Sequence, residues 1–536
     1  MKPFHCLPLV LAWLLCGCAP QAARHDVVPR VTLLHLNDTY RIDAVEDGTR
    51  GGFGRVTTLI RELRGEGRDV YLLHAGDFLY PSLESQLWDG AQMVEAFNFM
   101  NRLAPLYVVP GNHEFDPRSP AALVAAVRAS EFEWIADNLQ FRTGAADVDG
   151  RLRHDFIARL GPYRVGILGL TVHEADGGND RGYAPVDRDY VARAEQALQA
   201  MAAADVDLVI GLTHLNIDED RELAALKARF PRFQLIAGGH EHEAEFEPGD
   251  AGHATIIKGA SNARTIWRIE LAGNPAQGMP RVTTTRIAVD ERIREDAAYG
   301  EISDRWRAEL LERMPWLPAK IGVAALPLDG RETAVRNEET PWGDFIADRM
   351  RGAFGEPPAD FAFVNGGTLR IDDYIAGDIT FEDVGRTFGF SSFLRRMTLS
   401  GDDFRDLLEA GYRGSGASKG YFPQISGFRV CVDRSRPEGR RIVSLQVPTA
   451  DGWADIDPRA DYTLVAPDYL YGGGDGYDFS AAREVSPPGS ELKFLVVDAI
   501  MNAQADGDAV GQPVDPDDPR IVIRNAGRRY CFSPVR

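Results

Sequence analysis

Apolar residues run along the first half of this chain in short blocks of strand length, and five of those blocks end in polar residues of one chemical kind. They read VTLLHLND to Asp38, VYLLHAGD to Asp77, LYVVPGNHEFD with Asn112, His113 and Asp116, DLVIGLTH to His214, and QLIAGGHEH with His240 and His242. The length and β-branched bias of each run predict a buried strand. Between them, apolar residues recur at helical spacing over 51–67, 90–103 and 220–230. Strands alternating with helices predict an α/β domain, in which chemistry sits just past the carboxyl ends of the strands. Every ligand-type residue above falls at such an end. Residues 254–271 predict two closing strands. A charged stretch over 290–316, with helical spacing and few strand formers, predicts a linker helix that Pro315 and Pro318 bring to an end. Beyond it the chain turns richer in glycine and aromatics, with loops such as NGGTLR and YLYGGGDGY, and predicts a second mixed domain.

A length of 536 residues is too great for one core and agrees with two domains. The expected division is a signal over 1–18, a catalytic domain over 30–288, a linker helix over 289–318 and a substrate-binding domain over 319–536. A formal net charge of −21 argues against a nucleic-acid polymer as partner, because a phosphate backbone needs a basic surface. It leaves room for a small phosphorylated substrate, since bound metal reverses the local sign. Residues 1–18 carry Lys2 and a short apolar core from Leu7 to Leu15, the form of an export signal. Their end resembles a bacterial lipobox with Cys18 as the lipidated residue. The expectation is an exported bacterial protein, periplasmic or anchored to the outer membrane only through Cys18; a signal with incidental cysteines is the other reading. Processing at Cys18 leaves Cys431 and Cys531 in the mature body. They stand either as a disulfide that pins the C-terminal tail or as two separate buried thiols.

His, Asp and Asn offer nitrogen and oxygen ligands without thiolate, a set suited to Zn, Mn, Fe or Co. Hydrolysis of a phosphate ester needs a deprotonated water, neutralised phosphoryl charge and a stabilised leaving oxygen. Two metals about 3.5–4 Å apart meet all three needs, and a carboxylate on a strand end such as Asp77 can bridge them. His35 and His74 lie inside apolar runs and read as packed core histidines, and Glu114 and Glu241 as turn-shaping residues.

The AGD, GNHEFD, LTH and GGHEH blocks resemble the calcineurin-like metallophosphatase superfamily. With the second half included, the chain resembles the secreted 5′-nucleotidase and UDP-sugar hydrolase family over nearly all of its mature length. The resemblance implies a four-layer metallophosphatase β-sandwich flanked by helices, α/β (α+β) in class, followed by a mixed α/β substrate-binding domain. It implies two divalent metal ions, Zn, Mn or similar. Asp77 would bridge them, Asn112, His214 and His240 would complete one site, and Asp38 and His242 would hold the other. His113 would stabilise charge on the phosphoryl group or leaving oxygen, its ring oriented by Asp116. Arg336 and Arg370 would grip the substrate phosphate, with Asn365 supporting that pocket. Phe390 and Tyr469 would sandwich the nucleobase, a contact worth about 1–3 kcal/mol per base, and Asp475 would hold ribose hydroxyls or cap its turn.

Two positions depart from the family pattern. The first block is Asn37-Asp38-Thr39-Tyr40, where the family places a histidine ligand at the fourth position. Tyr40 reads instead as a hydrogen-bond donor or wall residue, leaving Asp38, Asp77 and His242 on that metal. Asp43 as a substitute ligand is the lesser reading. Ser392 stands where the family carries an asparagine that contacts the base. The activity implied is hydrolysis of nucleoside 5′-monophosphates or related nucleotides by metal-activated water. The alternatives are nucleotide-sugar, cyclic-nucleotide or sulfur-ester hydrolysis on the same scaffold, or a lipid-anchored nucleoside-binding protein. The sequence leaves the oligomeric state open.

Overall fold

The computed structural model describes residues 30–173, 181–414, 419–524 and 531–532. The signal and lipobox over 1–18 lie outside the described residues.

Two sheets built from residues 31–288 make the N-terminal domain. The first has seven strands in the order Arg281–Ala288, Thr265–Ala272, Val31–Leu36, Asp69–Ala75, Leu106–Val109, Glu133–Ile135 and Leu152–Arg153. From Val31–Leu36 onward its pairings are parallel, while the first two strands close it antiparallel. The second has six strands, with Leu208–His214 in parallel pairing between Tyr163–Thr171 and Phe233–Gly238. The five ligand-bearing runs are thus all central strands. They bury their side chains on both faces, as parallel strands do, and Leu72, Val108, Ile210 and Leu212 from the two sheets meet in one core. Helices Phe53–Gly65 and Ala91–Leu103 cover the first sheet, and Tyr190–Ala203 and Ile217–Ala224 cover the second. The result is the helix–sheet–sheet–helix layering expected.

Two local expectations shift. The helix expected over 220–230 begins at Ile217, because Asn216 and Glu219 form a reciprocal capping box, and it tightens to a 3₁₀ turn over Ala225–Ala228. The two closing strands, Thr255–Lys258 and Thr265–Ala272, join different sheets. The turn between them, residues 259–264, therefore crosses from one sheet to the other beside the ligand-bearing loops.

The helix Ala297–Arg313 starts on an Asp296 cap, whose side chain accepts from the Tyr299 N–H. It lies on the N-terminal domain, with Tyr299 packed edge-on against Phe53 and Phe99 and with Trp306 against Trp88. Asp43 turns toward this helix and accepts from Ser303 Oγ, and it stands outside the cluster of Asp38, Asp77 and His242.

The C-terminal domain holds two four-stranded sheets. One runs Leu394–Ser400, Asp461–Pro467, Phe361–Asn365 and Pro423–Ser426; the other includes Arg429–Asp433 and Ile521–Arg524. Helices Pro341–Arg351 and Leu492–Asp506 pack with the first sheet around Trp342, Ile346, Val364 and Val496. Cys431 and Cys531 form a disulfide that closes across 100 residues. Among the described residues no helix is long and apolar enough to cross a membrane.

Candidate active site

The ligand-type residues converge because the two sheets present their strand ends along one edge. Asp38 follows Val31–Leu36, Asp77 follows Asp69–Ala75 and Asn112 follows Leu106–Val109; His214 ends its own strand, and His240 and His242 follow Phe233–Gly238. Four of them turn through left-handed backbone: Asp38 at φ 51°, Asp77 at 61°, His240 at 83° and His242 at 65°. Such conformations cost on the order of 1–3 kcal/mol each and survive only where the surroundings fix them. Here buried charge does the fixing. The Glu114 carboxylate accepts the backbone N–H groups of Asp77, Phe78 and Leu79 at 3.0, 2.7 and 3.0 Å. Lys258, fully buried, donates to the carbonyls of Leu215 at 2.6 Å and Gly239 at 2.9 Å and pairs with Asp220 and Glu241. The space beside Gly111 is equally tight, since a Cβ there would collide with the Asp77 carboxylate. Glu114 and Glu241 thus shape the loops, and His35 and His74 sit in the core, bonded to the Gly238 carbonyl and the Thr39 hydroxyl.

Two clusters of lone pairs share the Asp77 carboxylate. On one side His214 Nε2 lies 3.3 Å from it, 3.1 Å from Asn112 Oδ1 and 3.2 Å from His240 Nδ1. On the other, Asp38, Asp77 and His242 bring ligand atoms within 4.8 Å of one another, with His242 Nε2 3.3 Å from Asp38 Oδ1. His214 places its Nδ1 2.7 Å from the Ala75 carbonyl, and His242 places its Nδ1 2.8 Å from a Glu332 carboxylate oxygen. With Nδ1 donating, each Nε2 turns a lone pair inward. Acceptors therefore outnumber protons in a buried space, which is costly unless a cation fills it. Without a cation the excess is met by protonation. Burial opposes charge on His214, but the Asp77 and Asp38 carboxylates outweigh it and push the imidazole up to about 10. The donor set, all oxygen and imidazole nitrogen, is of the kind that holds divalent metal.

Tyr40 is neither remote nor a plain wall. Its hydroxyl lies 2.8 Å from His242 Nε2, 3.2 Å from Asp77 Oδ2 and 3.4 Å from Asp38 Oδ1. One phenol proton thus faces three acceptors. Burial, then the two carboxylates, raises its pKa further, so the phenol stays neutral.

His113 stands beside these clusters. Its backbone N–H donates to Asp77 Oδ1 at 2.9 Å, and its Nδ1 lies 2.9 Å from Asp116. Burial lowers its pKa, but Asp116 and Asp77 override this and push it up to about 9; Arg370 pulls the other way. Arg370 Nη2 reaches His113 Nε2 at 3.2 Å, and the guanidinium lies 5.3 Å from the Tyr40 ring and 5.4 Å from Phe390. Phe390 in turn packs 5.6 Å from His113. Arg336 is buried and pairs with Glu332 at 2.7 Å. Arg336 Nε and Arg370 Nη1 are buried without a hydrogen-bond acceptor, as donors awaiting an anion would be. The remaining expected residues form a second group. Asn365 Nδ2 donates to Asp475 at 2.7 Å, and the Tyr469 hydroxyl donates to the same carboxylate at 3.1 Å. The loop 365–370 links the two groups, with Arg370 Nε bonded to the Gly367 carbonyl.

Sequence reasoning passed over Glu332, Ser261 and Asp372, which join the domains here. Glu332 accepts from Ser261 Oγ at 2.8 Å, and Asp372 accepts from Asn262 Nδ2 at 2.9 Å. No motif marks them, and Glu332 reads in the sequence as an ordinary partner four residues before Arg336.

Fold and site together define a two-domain metallophosphoesterase. Residues 31–244 match the calcineurin-like phosphoesterase family, and residues 320–482 match the 5′-nucleotidase C-terminal domain. The chain belongs to the 5′-nucleotidase family of hydrolases, in which these two domains are joined. It is 26% identical over 488 residues to the trifunctional nucleotide phosphoesterase protein of Bacillus subtilis, covering 83% of this chain and 32% of that longer protein. It is 25% identical over 489 residues to the 5′-nucleotidase of Rattus norvegicus, covering 83% of each. Its fold is similar to that of a 5′-nucleotidase precursor from Thermus thermophilus, with a TM-score of 0.78 at 24% identity over 92% of this chain and 99% of that one.

Proposed function

We propose that this chain is an exported dinuclear phosphoesterase that hydrolyses nucleoside 5′-monophosphates or closely related nucleotides to nucleoside and phosphate. The observation that carries the reading is the sharing of the Asp77 carboxylate by two lone-pair clusters, faced by buried guanidinium donors from the other domain. Asp77, Asn112, His214 and His240 would hold one ion, and Asp77, Asp38 and His242 the other. Bound there, divalent ions supply Lewis acidity that lowers the pKa of water and offsets phosphoryl charge. Arg370 and Arg336 bind phosphoryl oxygens in the planar, forked manner that suits them. His113, held by Asp116, presents Nε2 to the leaving oxygen. Phe390 and Tyr469 stack the base, and Asp475 with Asn365 meets the sugar. Export agrees with a disulfide in the mature body.

A panel of AMP, UDP-glucose and 2′,3′-cyclic nucleotides, assayed with Mn and with Zn, tests this reading. Fastest turnover on AMP is expected. Turnover confined to UDP-glucose or the cyclic esters would move the activity to that leaving group. Tight nucleoside binding with no turnover would make the chain a binding protein.

A further inference from the structure

Glu332 opens a short helix of the C-terminal domain, Glu332–Val335, yet its carboxylate is spent largely on the other domain. One oxygen lies 2.8 Å from His242 Nδ1 and accepts from Ser261 Oγ at 2.8 Å. The second pairs with Arg336 at 2.7 Å. Arg264 and Arg370 approach to 3.9 Å, and the side chain is 1% exposed. A neutral imidazole has one N–H, and a carboxylate at Nδ1 holds it there, leaving Nε2 as the only lone pair. That Nε2 is the atom aimed at Asp38 and Tyr40. The tautomer and tilt of a ligand in one domain are therefore set by a carboxylate from the other.

We propose that Glu332 is a positioning residue that couples cation binding at Asp38, Asp77 and His242 to docking of the two domains. This rests on reading that cluster as a cation site. Docking brings Glu332 to His242 and readies the ring for a cation. By reciprocity, a cation that fixes the His242 ring strengthens the docked pose to the same degree. The neighbouring tie, Asp372 to Asn262, holds the same loop but touches no ligand-type side chain. Asp372 also accepts from the Glu332 N–H at 3.1 Å, so its loss weakens docking and reaches the ring only through Glu332.

The test compares full-length wild type, Glu332→Ala and Asp372→Ala. Mn(II) affinity is read by equilibrium titration and domain docking by small-angle scattering, with Mn(II) and with EDTA. Removing an outer carboxylate from a metal-bound histidine commonly weakens binding about 10–100-fold. We expect a loss of that size at one of two sites in Glu332→Ala and a smaller one in Asp372→Ala. Wild type is expected to be more compact with Mn(II) than with EDTA, and Glu332→Ala to lose most of that difference. Glu332→Asp, which restores a carboxylate, is expected to regain part of both. Equal Mn(II) affinity in wild type and Glu332→Ala overturns the coupling while leaving the metal site standing. Weakened affinity with unchanged scattering in every state overturns it too. Failure of wild type to take up any divalent cation overturns the metal reading itself.

Discussion

Arg370 of the C-terminal domain lies 3.2 Å from Nε2 of His113 in the N-terminal domain, so the candidate proton-handling imidazole and a candidate phosphate-binding guanidinium touch across the domain seam. Arg370 Nη1 is buried without a hydrogen-bond acceptor, a Glu332 carboxylate oxygen standing 3.9 Å away. A phosphoryl oxygen entering the seam would satisfy that donor and sit within reach of His113.

Arg370→Ala is expected to lower kcat/KM for AMP by about 100- to 1,000-fold, the usual loss when one donor to developing charge is removed. Arg370→Lys keeps the charge but not the fork, and is expected to recover only part of it. Steady-state kinetics on folded, metal-loaded variants decide the point. Retention of wild-type kcat/KM in Arg370→Ala would remove this residue from the site.

Asp116→Asn is expected to cost less than His113→Ala, because Asp116 acts only by holding the ring. General acid–base groups commonly contribute about 10²–10⁴-fold. The two variants and their double mutant form a cycle. If Asp116 works through His113, the double mutant will be no slower than His113→Ala; additive losses would separate the roles.

Tyr40→His replaces a neutral phenol with an imidazole at a point faced by three acceptors. Protein purified without added metal is expected to retain more metal per chain in the variant than in wild type. Elemental analysis of both preparations gives the answer, and identical occupancy would refute it.

The Cys431–Cys531 bridge closes a long loop of the C-terminal domain, and such bridges stabilise typically by about 2–4 kcal/mol through the unfolded chain. The Cys431→Ser, Cys531→Ser double variant is expected to unfold at lower temperature while leaving residues 31–288 folded. Calorimetry resolving the two domains would show this as a shift in one transition. An unchanged thermogram would mean the bridge carries no stability.

Asp344 offers a pH signature away from the metal clusters. Burial, partly countered by Arg520 and reinforced by Glu339, pushes its carboxyl up to about 8. A carboxyl with a higher pKa folded than unfolded binds its proton more tightly in the native state. Its contribution is complete below the unfolded value near 4 and is lost as pH rises through about 8. Asp344→Asn is therefore expected to raise stability at pH 8.5 by about 1–3 kcal/mol and to leave it little changed at pH 4. Urea unfolding at the two pH values tests the sign; a variant destabilised more at pH 8.5 than at pH 4 would reverse it.

What could be read from the sequence follows from how each feature is encoded. Asp38, Asp77 and His214 are joined to apolar runs, so local periodicity places them at strand ends. The strands over Thr255–Lys258 and Thr265–Ala272 were equally plain, but their parting into two sheets was not, since alternation records burial and not partners. Glu332 was invisible for a stronger reason. Its partner His242 lies 90 residues earlier, and the acid four residues before Arg336 has the spacing of any solvent-facing helical pair. Tyr40 was legible as a departure; its place at the centre of three acceptors needed coordinates.

The left-handed turns at Asp38, Asp77, His240 and His242 mean that the ligands are mounted on a chain that would relax without them. Glycine at any of these positions would remove a ligand and free the backbone, whereas a β-branched residue would remove the ligand and strain the backbone further. Catalytic competence and thermodynamic ease thus pull against each other within the same few residues, and selection for a hardier apoprotein would drift toward an inert one.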